Sequence, residues 1–163
     1  MRKSAYRAAL YGSLLIAYGV LFVACGDKKD PKMEEAGKVH LEAMAIEESL
    51  HEQIEAIDSI KIVLNDKKKT LTDAAQIAKA DSALAALDGV AKSFETWEEN
   101  VIEVPGLAHE HHHGEGEHHH HDHKPAPDLT PDQMLDVQKE SKANIEKIKS
   151  DLLKVEEMLK QVL

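Results

Sequence analysis

TPDQMLDVQKESKANIEKIKSDLLKVEEMLKQVL, residues 130–163, carries both a helix start and an unbroken hydrophobic period. Thr130 followed by Gln133 forms a capping box, and Pro131 suits the first helical position, where its missing N–H has no partner to lose. From Ile145 the apolar residues recur at Ile148, Leu152, Val155, Leu159 and Val162, in steps of three and four. That is the seam of a helix packed against other helices, and it predicts a helix over residues 131–163.

The same period appears twice upstream. Val39, Ala43, Ile46, Leu50, Gln53, Ile57, Ile60 and Leu64 step by four and three, predicting a helix over residues 33–65 that ends in the polar run Asn65 to Lys69. Capping residues at Thr70 to Asp73 then open a second helix over residues 71–103. Its stripe is Ile77, Leu84, Leu87, Val90, Phe94, Trp97 and Val101, and Pro105-Gly106 closes it. Dense alanine between Ala74 and Ala91 favours helix and close approach of neighbours. Each helix is about 33 residues, or ~50 Å at the helical rise. Equal lengths and a short first connection point to an all-α fold, an extended antiparallel three-helix bundle with coiled-coil-like packing over residues 33–163. The second connection, residues 104–129, exceeds ordinary loop length and is expected to be disordered.

Ahead of the bundle, Arg2, Lys3 and Arg7 precede an apolar run that ends at Cys25. The run is short for a spanning helix and has the layout of a secretory signal, residues 1–24. LFVACG, residues 21–26, resembles the bacterial lipobox, which implies that Cys25 becomes the lipidated N-terminus and that residues 25–32 form a tether. The chain has 20 basic and 30 acidic residues; with the three basic residues of the signal removed, the remainder carries −13. An acidic body argues against nucleic acid as a partner. Cys25 is the single cysteine, so its lipidation leaves no thiol for disulfides or thiolate metal sites.

AMAIEESLHEQIEAI in the first helix, LDGVAKSFETWEENVIEVPG at the end of the second, and LTPDQMLDVQKESKANIEKIKSDL in the third resemble a group of Bacteroidetes-type bacterial lipoproteins labelled "viral A-type inclusion protein". The resemblance implies an anchored helical lipoprotein and implies no activity; the expected address is the cell envelope, and in a Gram-negative cell the outer membrane. Gly26 after the cysteine, in place of the aspartate of inner-membrane retention signals, agrees with that address.

Within the second connection lies HEHHHGEGEHHHHDHK, residues 109–124, with nine of the eleven histidines. His109, His111, His112, His113, His118, His119, His120, His121 and His123 are candidate metal ligands, because imidazole nitrogen binds Zn, Cu, Ni and Co well. Glu110, Glu115, Glu117 and Asp122 add negative charge and acceptors for the second ring nitrogens. At four ligands per zinc, the histidines suffice for roughly two sites. No fixed spacing appears, which excludes a zinc finger; the tract is similar to the His-rich loops of periplasmic zinc-binding proteins and nickel chaperones.

Elsewhere the chemistry is sparse. Glu48 and His51 have the Glu-x-x-His spacing of di-iron bundles, but no second such pair exists, so an exposed salt-bridging face is expected. Met33, Met44, Met134 and Met158 read as packing or surface. With no nucleophile elbow, phosphate loop or acid–base pair, the chain is not expected to be an enzyme or to hold an organic cofactor. The expected function is a lipid-anchored extracytoplasmic protein that binds or buffers divalent transition metals through the tract. The alternative is a non-enzymatic helical adaptor whose bundle faces bind an envelope protein partner, the loop being incidental.

Overall fold

Asp30 starts the first helix by accepting a hydrogen bond from the Lys32 N–H at 2.8 Å, with Pro31 at the first helical position. The computed structural model of the chain describes residues 30–107 and 127–163. The signal segment 1–24, Cys25, the thirteen candidate metal-site residues between His109 and His123, and most of the long connection lie outside the described residues. Helices account for 81% of the described residues, no strand occurs among them, and three helical columns pack together.

The first column is α1 (Pro31–Glu55) followed by α2 (Ile57–Thr70). Ala56 between them keeps helical angles, its N–H reaches the Glu52 carbonyl at 3.1 Å, and the Ile60 N–H reaches its own carbonyl at 2.9 Å. The hydrogen-bond ladder therefore runs through, and the column spans ~60 Å at 1.5 Å per residue. It does not stop at Leu64 or Asn65 as the polar run suggested. Lys67, Lys68 and Lys69 occupy the last turn of α2, where cations complement the negative end of the helix dipole. Lys69 also bonds Asp66 at 2.8 Å, and Lys68 pairs with Asp81 of the next helix.

Helix α3 (Ala74–Glu98) starts three residues later than expected and ends earlier. Asp73 is its N-cap, accepting from the N–H groups of Ala75 and Gln76 at 2.7 and 3.3 Å. Past Glu98 the backbone tightens to bonds from Asn100 to the Trp97 carbonyl and from Val101 to the Glu98 carbonyl. The chain then turns at Pro105-Gly106, where Gly106 takes φ 78, a left-handed angle that glycine adopts without strain. Helix α4 (Pro131–Leu159) begins with the expected capping box complete on both sides. Beyond Leu159 the end tightens to bonds such as Gln161 N–H to the Met158 carbonyl and Val162 N–H to the Leu159 carbonyl. Val162 nevertheless stays buried.

Ion pairs give the directions of the columns. Lys32–Asp132, Glu35–Lys139 and Glu42–Lys142 ascend together along α1 and α4. Lys61–Asp88 and Lys68–Asp81 run oppositely along α2 and α3. The starts of α1 and α4 therefore share one pole, and the Thr70–Asp73 turn lies at the other.

The main core joins Ala43, Leu50, Ile57 and Leu64, spaced by seven, to Ala80, Ala83, Leu87, Val90, Phe94 and Trp97 of α3 and to Ile145, Ile148, Leu152 and Val155 of α4. The first seam is rotated from its expected line: Val39, Ile46 and Ile60 are only partly buried and Gln53 is exposed. A second cluster fills the pole where α1 and α4 begin. Ala36, Val104, Met134 and Leu135 form its centre, with Met33, Val39, Ile102, Leu107 and Leu129 packed around them. The expectation of disorder from residue 104 through 129 thus fails at both edges, because Val104, Leu107 and Leu129 bury apolar surface against α1 and α4.

Candidate functional site

The second cluster closes over a buried polar group that the apolar pattern does not announce. His40 of α1 and Gln138 of α4 are each 1% exposed. His40 Nδ1 lies 3.0 Å from Gln138 Oε1, and the Gln138 amide nitrogen donates to the Ile102 carbonyl at 2.7 Å. The amide is thereby oriented with its oxygen toward the ring, so Nδ1 carries a proton and donates it. The ring's other nitrogen, Nε2, faces Glu103 Oε2 at 3.9 Å, and Glu103 is itself largely covered. Met134 Sδ completes the surroundings, 3.5 Å from the Gln138 nitrogen.

Burying a polar side chain is costly unless its hydrogen bonds are made, so these contacts hold three segments in one arrangement. Gln138 ties α4 to the chain that leaves α3, and His40 ties α1 to Gln138 and to Glu103. Just beside them, Leu107 lies on Gly37: a Cβ at position 37 would stand 2.7 Å from Leu107 Cδ1. A side chain at position 37 would therefore push the end of the Leu107 side chain aside. Val104 and Leu107 on one edge of the segment that contains the histidine tract, and Leu129 on the other, pack into this one cluster.

Chemically, His40 Nε2 and Glu103 Oε2 stand within ion-pair range at 3.9 Å, farther apart than a hydrogen bond. An imidazole fixed through one nitrogen also resembles a metal-ligating histidine with its outer-shell partner. A closed tetrahedral site needs four ligands, however, and no group of three or more His, Cys, Asp or Glu side chains occurs among the described residues.

The other sequence candidates separate on the structure. His51 Nε2 meets Glu55 at 3.1 Å on an exposed face, and Glu48 is exposed as well, so that pair has no inward-facing geometry. Met134 is fully buried, and Met33, Met44 and Met158 pack against the core clusters. Trp97 donates its indole N–H to the Ser141 carbonyl at 2.9 Å and meets Phe94 at a centroid distance of 6.4 Å. No helix among the described residues is long and apolar enough to cross a membrane.

Around the pole the charge is acidic. In residues 30–38, 101–107 and 127–139 there are seven acids (Asp30, Glu34, Glu35, Glu103, Asp128, Asp132, Asp136) against Lys32, Lys38 and Lys139. The hydrogen bond from Lys32 to Asp132, with the charge of that carboxylate, raises the Lys32 ammonium above its usual range. Glu34 does the same to Lys38. Both pairs are exposed and contribute little to stability.

Sequence reasoning passed over His40 because it lacked a carboxylate three residues before it. Two signals could have found the group. The stripe through Ile145, extended back by seven, lands on Gln138, and His40 lies one turn from both Ala36 and Ala43 on the buried face.

No family model, curated protein or solved structure matches the chain.

Proposed function

We propose that this protein is lipid-anchored through Cys25 in the cell envelope and binds divalent transition metals through the histidine tract. The tract is carried on an extended antiparallel three-helix bundle. The observation that carries the reading is compositional: nine of eleven histidines fall within residues 109–124, interleaved with four acids. Zinc, copper, nickel or cobalt fits such a donor set, with imidazole as the main ligand and the carboxylates as auxiliaries. The lipobox-like LFVACG and the likeness to Bacteroidetes-type envelope lipoproteins support the address.

Deleting residues 109–123 tests both halves of the reading. Calorimetry with Zn²⁺ or Cu²⁺ is expected to lose its stoichiometric binding phase, and cells carrying the deletion are expected to grow worse under zinc or copper stress. Lost binding with unchanged growth would leave metal binding without a physiological use. Trp97, near the loop end of α3, offers a second readout: bound Cu²⁺ quenches its emission if the loaded tract folds back on the bundle, and binding without quenching would mean that the tract stays detached.

A second reading, the helical adaptor, has one observation in its favour: Ile62 and Val63, adjacent on α2, are 65% and 56% exposed. Cross-linking in the intact envelope that captures the same partner with and without residues 109–123 would favour it.

A further inference from the structure

The path of the chain returns it to where it started. Column one, residues 31–70, runs away from Pro31, and α3 comes back alongside it. At the return point Val104 packs with Ala36 and Leu107 lies on Gly37. On the far side of residues 108–126, Leu129 joins the same cluster and Asp132 pairs with Lys32. The start of α1 and both edges of the histidine-bearing segment therefore share one pole. The Thr70–Asp73 turn is ~60 Å away, the length of a 40-residue helical column. Had the segment followed an odd number of columns, it would stand at the far tip.

Resting on the lipid-anchor reading above, we propose that the pole bearing His40, Glu103, Leu107 and Asp132 faces the bilayer, so that metal is taken and released at the membrane surface. Cys25 precedes Pro31 by six residues. A fully extended chain of that length reaches at most ~20 Å, so an acylated Cys25 holds this pole close to the headgroups. The occupant of the facing surface is the bilayer. The charge of the pole agrees with exchange rather than adhesion. Seven acids against three lysines repel anionic headgroups and concentrate cations in the gap.

The test uses the full-length lipidated protein in phosphatidylcholine vesicles that contain a gadolinium-chelate headgroup lipid. A nitroxide is attached at Asp128→Cys or at Thr72→Cys, both exposed positions, with the Cys25 thiol blocked by lipid. A several-fold relaxation enhancement is expected at position 128, and none above the gadolinium-free control at position 72. Equal enhancement, or the larger one at position 72, overturns the proposal. Flotation of the protein with the vesicles reports the anchor, and Cu²⁺ stoichiometry in detergent, with and without residues 109–123, reports the metal reading. A protein that does not float overturns the orientation together with the anchor. One that floats without binding Cu²⁺ overturns metal exchange at the surface, while the labels still report which pole faces the lipid.

Discussion

His40 and Gln138 stand on helix faces where their neighbours are apolar, and their value lies in each satisfying the other. Gln138→Leu removes the acceptor of the His40 ring N–H and the donor to the Ile102 carbonyl. A loss of about 1–3 kcal/mol is expected in denaturant unfolding, the usual consequence of stranding buried polar groups. His40→Leu added to it is expected to cost less than the two single losses together, because no imidazole then remains to be satisfied. Gly37 is the other residue with a specific demand. Glycine-to-alanine in a helix ordinarily stabilises by ~0.5–1 kcal/mol. Here that gain is expected only in the Leu107→Ala background, since in the native chain the new methyl displaces Leu107 Cδ1. A double-mutant cycle read by urea midpoints measures the difference.

Helix α4 depends on its ends and on its exposed face. Thr130→Ala deletes the side-chain half of the capping box and is expected to cost ~1 kcal/mol, seen as a lower urea midpoint. Along the exposed face, Lys147 and then Lys154 hydrogen-bond Asp151 and hold its carboxyl below the usual range. A carboxyl depressed on folding stabilises above its unfolded pKa of about 4 and loses that contribution as pH falls through the folded value. Asp151→Asn is therefore expected to lower Tm slightly at pH 7, with the difference vanishing at pH 2 and shrinking in high salt. An equal difference at both pH values would show that the ion pairs are not its source. The start of α4 was legible from Thr130, Pro131 and Gln133 because capping is local chemistry. The end of α2 was misjudged at Asn65 to Lys69. A lysine run reads as a break, and only its place in the last turn, with Asp81 opposite Lys68, makes it favourable.

The whole molecule is a long bundle with two apolar clusters. Leu50 sits mid-way along the first column, residues 31–70, 2% exposed, in the larger cluster. Leu50→Ala is expected to cost about 2–5 kcal/mol in a single unfolding transition followed by circular dichroism. Two separated transitions would mean that the clusters unfold independently. By itself the sequence determined that the chain is helical, where α4 begins and which stripes are apolar, because those follow from periods of three and four and from capping groups within one turn. The tertiary structure decided how those stripes rotate against one another, why His40, Gly37 and Gln138 are what they are, and that the edges of the histidine-bearing segment lie beside the start of α1. Each of these depends on residues about seventy to one hundred positions apart being brought into contact, as Gly37 with Leu107 and His40 with Gln138, and no local periodicity records such a contact.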